Sequence, residues 1–370
     1  NLLSEEEKET LAWGYIQRNE SGEMTEFMDA PRAPVKDQWS PRLGVGYPIT
    51  DRTAFHFSYG QFYQFPDLVN MYNYSNYQGE GVSPPGWSDE ANNLAKDFLY
   101  GNPYYPFPYN ITDWYIPEVG TPNVKPQRSV QYETGLRTRI GNQYLLTANL
   151  YYKDMFDYIA SKRYDADPSQ YAIYENMDYA NSRGLEISLK KLFSNGFDWD
   201  LNYTLARAEG NAPTPDYHWY VAEWASGYDW RDFNRTYTMP WDQTHTINFR
   251  LNYFTPTGFG LSSIANYGSG LPYTPEDARA RPIDEQYSGR MPSTSNVNLK
   301  LFYDRKMMGY DIRFFADITN LFDKENVLAV DNTTGEPDAT LDSGQSPMVV
   351  WKPYYISAPR HIELGISVSR

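Results

Sequence analysis

The chain of 370 residues contains no cysteine, so neither disulfides nor thiolate metal sites are possible. It has no apolar run approaching the roughly 18 residues that a helical membrane span requires, and its mean hydropathy is -0.68. Its four histidines show no metal-ligand spacing. These absences exclude disulfide scaffolds and helical membrane proteins, and we expect a protein that uses no metal and no other cofactor.

The charge balance is strongly acidic, with a formal net charge of -15 at pH 7. Such a charge opposes binding to nucleic acid or to an anionic surface, so we expect no nucleic-acid partner. Aromatic residues make up 17% of the chain, and 34 residues are tyrosines. Rings with a polar tip suit the aromatic girdles of a membrane barrel, and they also suit adhesive surface loops.

Segments of about ten residues, the length of a transmembrane β-strand, alternate between apolar and polar positions. In residues 245–254, Phe249 and Leu251 share one face of a strand, while Asn248 and Arg250 share the other. Eleven segments with such a polar face predict an all-β fold, a transmembrane antiparallel β-barrel with lipid outside and a wet interior. The predicted strands are 39–48, 53–64, 128–140, 143–156, 179–192, 197–208, 243–254, 259–268, 294–303, 310–320 and 360–370.

The links between these strands alternate between tight turns and long loops. The tight links are rich in Gly, Pro, Asn and Asp, which supply the backbone angles that turns require. They are Pro48–Arg52, Gly141–Gln143, Ser194–Gly196, Thr255–Gly258 and Asp304–Gly309. The long links lie near 65–127, 157–178, 209–242, 269–293 and 321–359. Short periplasmic turns and long extracellular loops are typical of bacterial barrels.

A β-propeller is the main alternative, because it too has many short strands. Its links need not alternate in length, so the barrel is favoured. Single-chain bacterial barrels have an even number of strands, and an open edge in lipid would leave backbone groups unpaired. Eleven strands therefore predict the C-terminal portion of a barrel with about 22 strands. Counting back from a last strand that ends in the periplasm places residues 1–37 in an extracellular loop and residues 38–370 in the barrel.

Several motifs occur in order across residues 39–370. They are Trp39-Ser40-Pro41-Arg42-Leu43-Gly44, Thr50-Asp51-Arg52-Thr53, Val124-Lys125-Pro126-Gln127-Arg128-Ser129, Tyr132-Glu133-Thr134-Gly135, Asn181-Ser182-Arg183-Gly184-Leu185-Glu186, Gly268-Ser269-Gly270-Leu271-Pro272-Tyr273-Thr274, Thr319-Asn320-Leu321-Phe322-Asp323 and Pro359-Arg360-His361-Ile362-Glu363-Leu364-Gly365-Ile366. In this order they resemble the C-terminal β-barrel portion of TonB-dependent outer-membrane receptors.

The resemblance implies a receptor or transporter, not an enzyme, in the outer membrane of a Gram-negative-type bacterium. Such a receptor is in contact with the surrounding outer-membrane lipid, which is one of its expected partners. The resemblance also implies coupling to the TonB energy-coupling complex through a plug domain and a TonB box, neither of which is in this sequence.

Two long loops are dense in aromatic residues and are the candidate ligand-binding segments. The candidate residues are Tyr104, Tyr105 and Trp114 in one loop, and Trp219, Tyr220, Trp224 and Trp230 in the other. Rigid amphipathic rings offer large contact areas at a low entropic cost. The alternative is that these rings pack against one another, because long loops need cores of their own.

Charged residues of both signs fall at the predicted inward positions. They are Glu133, Arg137, Lys153, Glu186, Lys190, Asp198, Asp200, Arg250, Lys300, Arg313, Asp317 and Glu363. A solvated wall with salt bridges is favoured here over a catalytic pair formed by Asp198 and Asp200. The acidic run near Asp331 and Glu336 lacks the spacing of a known calcium loop, so an exposed acidic loop is favoured there.

Two functional hypotheses remain open. The first is a TonB-dependent importer of a scarce, bulky nutrient of the siderophore, oligosaccharide or peptide class. The second is a structural or docking barrel within a cell-surface assembly, whose loops bind other envelope or surface proteins.

Overall fold

The computed structural model describes residues 16–18, 24–27, 33–72, 118–164, 171–214, 235–277, 282–342, 347–351 and 353–370. Eleven long strands dominate these residues. They are β1 (Arg42–Thr50), β2 (Thr53–Gln64), β3 (Gln127–Ile140), β4 (Tyr144–Tyr164), β5 (Tyr171–Ser194), β6 (Phe197–Gly210), β7 (His245–Phe254), β8 (Phe259–Gly268), β9 (Thr294–Met307), β10 (Tyr310–Thr319) and β11 (His361–Ser369).

The eleven strands form one antiparallel meander in which each strand pairs with its neighbours in the sequence, from β1 at one side to β11 at the other. This order confirms the predicted all-β antiparallel fold and its eleven strands. The tight turns lie at one end of the sheet, the short-turn end, and the longer connections lie at the opposite end, the long-connection end.

Strands β4 and β5 extend well beyond the predicted segments 143–156 and 179–192. The pairing is interrupted by an irregularity between Met155 and Tyr158, where Asp157 adopts a φ of 58°. This bulge breaks the two-residue alternation, so the sequence pattern ends there although backbone pairing continues. The extra length projects from the long-connection end.

Two of the tight turns show why particular residues occupy them. Asn195 and Gly196 have φ values of 53° and 84°, and Met308 and Gly309 have φ values of 55° and 83°. Two consecutive positive φ angles are the signature of the two-residue hairpin turn that matches strand twist. The strands before and after the second turn reach Met307 and Tyr310, so that turn is shorter than the predicted link.

Shorter elements lie at the long-connection end and in the region before β1. They are the strands Ile16–Arg18, Met24–Phe27, Glu118–Val119, Tyr237–Thr238, Pro272–Tyr273, Gly289–Arg290, Asp338–Asp342 and Pro347–Trp351, the helix Leu68–Tyr72 and the 3-10 helix Pro353–Tyr355. Tyr237–Thr238 pairs with β6, and Glu118–Val119 pairs in parallel with β5. No helix among the described residues is long and apolar enough to cross a membrane.

The register separates a mainly apolar face from a mainly polar face of the sheet. On β7, Phe249 lies opposite Leu201 and Ala265, whereas Arg250 lies opposite Asp200. Large side chains of the apolar face are exposed on strands at both sides of the sheet, namely Leu43, Val45, Leu136, Leu150, Ile362, Leu364 and Ile366. Such an exposed apolar surface is the one that a transmembrane barrel presents to lipid.

Aromatic side chains border the apolar face at two levels. Toward the long-connection end, Tyr59, Tyr132 and Tyr152 lie opposite one another on β2, β3 and β4 and form the tyrosine row. Toward the short-turn end, the rings of Tyr144 and Trp199 have centroids 6.2 Å apart. The step from Tyr144 to Tyr152 spans about 27 Å along the strand at roughly 3.4 Å per residue. After strand tilt this is comparable with the apolar band of a membrane barrel.

A small buried cluster lies beyond the sheet at the long-connection end. Val124, Ile159 and Tyr174 form it, and Met71 packs against it. Nearby, the side chain of Asn176 donates to the backbone oxygens of Lys125 (2.9 Å) and Asp157 (2.7 Å). The projecting part of the β4–β5 hairpin is therefore tied to the segment before β3.

Candidate functional site

The aromatic residues proposed as ligand contacts lie outside the described residues. This applies to Tyr104, Tyr105, Trp114, Trp219, Tyr220, Trp224 and Trp230. Their role stays a prediction. The described polar face contains a different set of groups, placed on strands β6 to β11.

A row of four asparagines crosses the polar face of β6 to β9, here called the asparagine row. Asn202 lies opposite Asn248, which lies opposite Asn266, which in turn lies opposite Asn296. The next row toward the long-connection end consists of Thr204, Thr246, Gly268 and Thr294. Amides offer two donors and an acceptor without net charge, and hydroxyls offer both functions. This part of the polar face is therefore a neutral hydrogen-bonding surface.

Three members of the asparagine row line a recess with a volume of about 600 Å³. Asn248, Asn266 and Asn296 line it together with Asn320 and His361, which lie at the long-connection end of β10 and β11. This volume falls within the range of small-molecule sites.

A second recess of about 230 Å³ adjoins the first and shares Gln243 and Thr246 with it. Its lining includes Met239 and Trp241, and Trp241 keeps 56% of its surface exposed. An exposed indole beside amides and hydroxyls combines a stacking face with hydrogen-bonding groups. The two recesses together are the candidate site.

Trp241 is positioned by the buried carboxylate that follows it. The Asp242 side chain is 1% exposed and accepts a hydrogen bond from the backbone nitrogen of Ala208 at 2.7 Å. Its other oxygen lies 2.7 Å from Nη2 of Arg290, and Arg290 also donates to the backbone oxygens of Asp242 (2.9 Å) and Gly270 (3.2 Å). This brace joins the bases of two long connections to β6.

The far side of the larger recess is fixed by the turn that follows β10. Asn320 has a φ of 52°, and its side chain donates to the backbone oxygens of Lys324 (3.0 Å) and Ala358 (3.1 Å). Its backbone nitrogen donates to the side chain of Asn298 at 3.0 Å. Asp323 accepts a hydrogen bond from the backbone nitrogen of Arg360 at 2.7 Å. The Asn-Leu-Phe-Asp motif therefore orders the start of β11.

Charges of both signs lie on the polar face toward the short-turn end, as predicted. Arg313 binds Asp304 through two hydrogen bonds of 2.7 and 2.9 Å, and Lys300 lies 2.9 Å from Asp317. The two aspartates of β6 join the same kind of contact: Asn252 donates to Asp198 at 3.1 Å, and Arg250 lies 3.5 Å from Asp200. These contacts match a solvated wall. Among the described residues, no cluster of acidic and histidine side chains could hold a metal ion.

Sequence reasoning missed Trp241 and the asparagine row. Trp241 stands next to a proline in the part of a long loop that leads into β7, away from the aromatic-dense stretch of that loop. The individual asparagines were visible as polar positions, but their alignment depends on the register of four strands. The 48-residue separation of Asp242 and Arg290 likewise leaves no local signal.

Comparison with known proteins supports the fold. No curated protein matches the sequence. Among solved structures, the outer membrane transporter YddB from Escherichia coli aligns with a TM-score of 0.56 and 13% identity over 88% of this chain and 40% of its own. A mutant form of the ferric enterobactin receptor of Pseudomonas aeruginosa aligns with a TM-score of 0.54 and 15% identity over 90% of this chain and 40% of its own.

The chain thus spans about 40% of the length of these relatives. Identities at this level show the fold alone. The family model for the TonB dependent receptor-like beta-barrel matches residues 17–321, which is most of the chain. This assignment supports the expectation that the chain is not an enzyme. The chain belongs to the TonB dependent receptor-like beta-barrel family and is an outer-membrane protein.

Proposed function

We propose that this chain is part of a TonB-dependent outer-membrane transporter that imports a scarce, bulky ligand. A plug domain and the TonB energy-coupling complex are its proposed partners. In this proposal the long connections face the outside of the cell, and residues 1–37 form an extracellular loop before the barrel portion 38–370. The observation that carries the proposal is the pair of adjoining recesses at the long-connection end of the sheet.

The chemistry of the recesses favours an uncharged ligand rich in hydroxyl or amide groups. The asparagine row supplies donors and acceptors without charge, and Trp241 supplies a stacking face. The net charge of -15 further disfavours an anionic ligand. The aromatic residues of the two long loops, such as Tyr104 and Trp219, remain proposed first contacts for the same ligand.

The test is uptake by cells that carry the full-length receptor with Trp241→Ala. Two labelled probes are compared, the neutral oligosaccharide maltoheptaose and the anionic chelate ferric enterobactin. We expect the parent to import the neutral probe in an energy-dependent manner. For half-maximal uptake, the variant should need a roughly tenfold higher concentration of the neutral probe, because loss of a stacking ring weakens binding by on the order of 1–2 kcal/mol. Trp39→Ala is the matched control, since Trp39 is also highly exposed but lines neither recess.

Import of ferric enterobactin alone would contradict the proposed ligand chemistry but leave the transporter proposal standing. Absence of energy-dependent uptake for either probe, together with stable co-purification of other envelope proteins, would favour the docking-barrel hypothesis instead. Equal binding by the Trp241 and Trp39 variants would show that the smaller recess does not meet the ligand.

A further inference from the structure

Two arginines interrupt the apolar face at the level of the tyrosine row. Arg183 on β5 lies opposite Tyr152 on β4 and opposite Arg207 on β6. The arginine pair therefore continues the row that begins with Tyr59 and Tyr132. Arg183 is the direct cross-strand neighbour of Tyr152, and tyrosines of membrane barrels gather at the membrane–water interface, so we place the pair near the headgroups of the leaflet on the long-connection side.

The two guanidinium groups of this pair share one carboxylate. Like charges directly opposite each other destabilise a sheet. Glu209 offsets this repulsion, because its carboxylate lies 2.9 Å from Arg183 and 2.6 Å from Arg207. Among the described residues, Glu209 is the carboxylate within ion-pair distance of both guanidinium groups. Arg183 and Arg207 keep 43% and 59% of their side-chain surface exposed, whereas Glu209 keeps 16%.

Asp154 and Arg128 also lie on the apolar face, two and four residues beyond the tyrosine row on their own strands. Asp154 accepts a hydrogen bond from the hydroxyl of Tyr179 at 2.7 Å. Arg128 lies over the ring of Phe156, 4.8 Å from its centroid. Both side chains therefore have contacts of their own within the described part of the sheet.

Apolar residues adjoin the arginines on the side toward the short-turn end. One step toward the short-turn end, Leu185 on β5 lies opposite Leu205 on β6, and both belong to the apolar face. A guanidinium pair above an aliphatic surface is complementary to a lipid with a negatively charged headgroup and apolar chains. Free phosphate would contact only the guanidinium pair and not the aliphatic surface.

We propose that Arg183 and Arg207 bind the phosphate of an anionic lipid in the leaflet on the long-connection side, while its acyl chains cover Leu185 and Leu205. Guanidinium groups form paired, charge-assisted hydrogen bonds to phosphate oxygens. Charge on the lipid face is costly at mid-depth and tolerated near the interface, which is where this pair lies. The bound phosphate adds acceptor oxygens for two exposed guanidinium groups that share the Glu209 carboxylate.

Native mass spectrometry of the full-length receptor after detergent exchange tests this proposal. The probes are lipid A, which carries phosphates, the same lipid A after enzymatic dephosphorylation, and inorganic phosphate. We expect the parent protein to retain phosphorylated lipid A and neither of the other probes. The double variant Arg183→Gln/Arg207→Gln should retain at least about tenfold less, since it loses the charge-assisted hydrogen bonds to the phosphate.

Arg250→Gln is the matched control, because Arg250 is similarly exposed but lies on the polar face beside Asp200. It should retain lipid A like the parent. Heat-modifiable migration on gels confirms that each variant is folded. Equal retention by the double variant, or equal retention of the dephosphorylated lipid by the parent, would overturn the proposal. Equal loss in the Arg250 variant would show that the effect is not specific to this pair.

Discussion

Asp242 is a single residue on which the geometry of the candidate site depends. It is almost fully buried, and it bonds both to the backbone of β6 at Ala208 and to Arg290 in a different connection. Removing one partner of a buried hydrogen bond leaves the other unsatisfied, and that penalty exceeds the net value of the bond itself. These bonds of Asp242 also fix the position of Trp241, its neighbour in the sequence.

We predict that Asp242→Ala destabilises the brace locally by about 1–3 kcal/mol, while the barrel still assembles. The measurement is amide hydrogen exchange at Ala208, which should become faster than in the parent. Asp242→Asn keeps an oxygen for the Ala208 amide and loses only the charge facing Arg290, so its effect should be smaller. Unchanged exchange in the alanine variant would contradict the role given to the brace.

At the scale of elements, two long connections are joined by a contact that includes the carboxyl group of Glu276. The backbone nitrogen of Glu276 donates to the oxygen of Asn332 at 3.0 Å, and the Asn332 side chain donates to the Glu276 carboxylate at 3.1 Å. Burial raises the pKa of Glu276, the nearby carboxylates of Asp331 and Asp277 raise it further, and the hydrogen bond from Asn332 opposes them.

A raised pKa means that ionisation of Glu276 is less favourable in the folded connection than in the unfolded one. The contact should therefore be most stable below the ordinary value of 4.5 and should lose stability as the pH rises through the raised pKa. Hydrogen exchange at Glu276 and Asn332, corrected for intrinsic rates, should reveal this loss. Glu276→Gln should abolish the pH dependence. A variant that keeps the full dependence would assign it to another group.

Elements differ in how much of them the sequence predicts. Alternation predicted β7 and β8 almost to the residue, because one face of each strand must be apolar in lipid. It failed for the extension of β4 past Met155, where a bulge ends the pattern. The asparagine row was hidden for a different reason: turns and pairing set the alignment of neighbouring strands, and no single strand records it.

At the scale of the whole molecule, assembly in the membrane requires every strand to keep its apolar residues on the same face. β11 provides a sensitive test, because adjacent residues there face opposite environments. Leu364 is 75% exposed on the apolar face, opposite Ala316 of β10. Glu363 lies on the polar face, opposite Asp317.

We predict that Leu364→Arg impairs assembly far more than Glu363→Arg. An arginine on the lipid face costs about 2–4 kcal/mol at mid-depth, whereas an arginine at position 363 would lie beside the carboxylate of Asp317, which already accepts a hydrogen bond from Lys300. The two variants introduce the same side chain at adjacent positions, so each controls for the other. Heat-modifiable migration on gels after outer-membrane extraction reports the folded fraction. Equal loss in both variants would show that the assignment of faces on β11 is wrong, and with it the orientation of the sheet toward lipid.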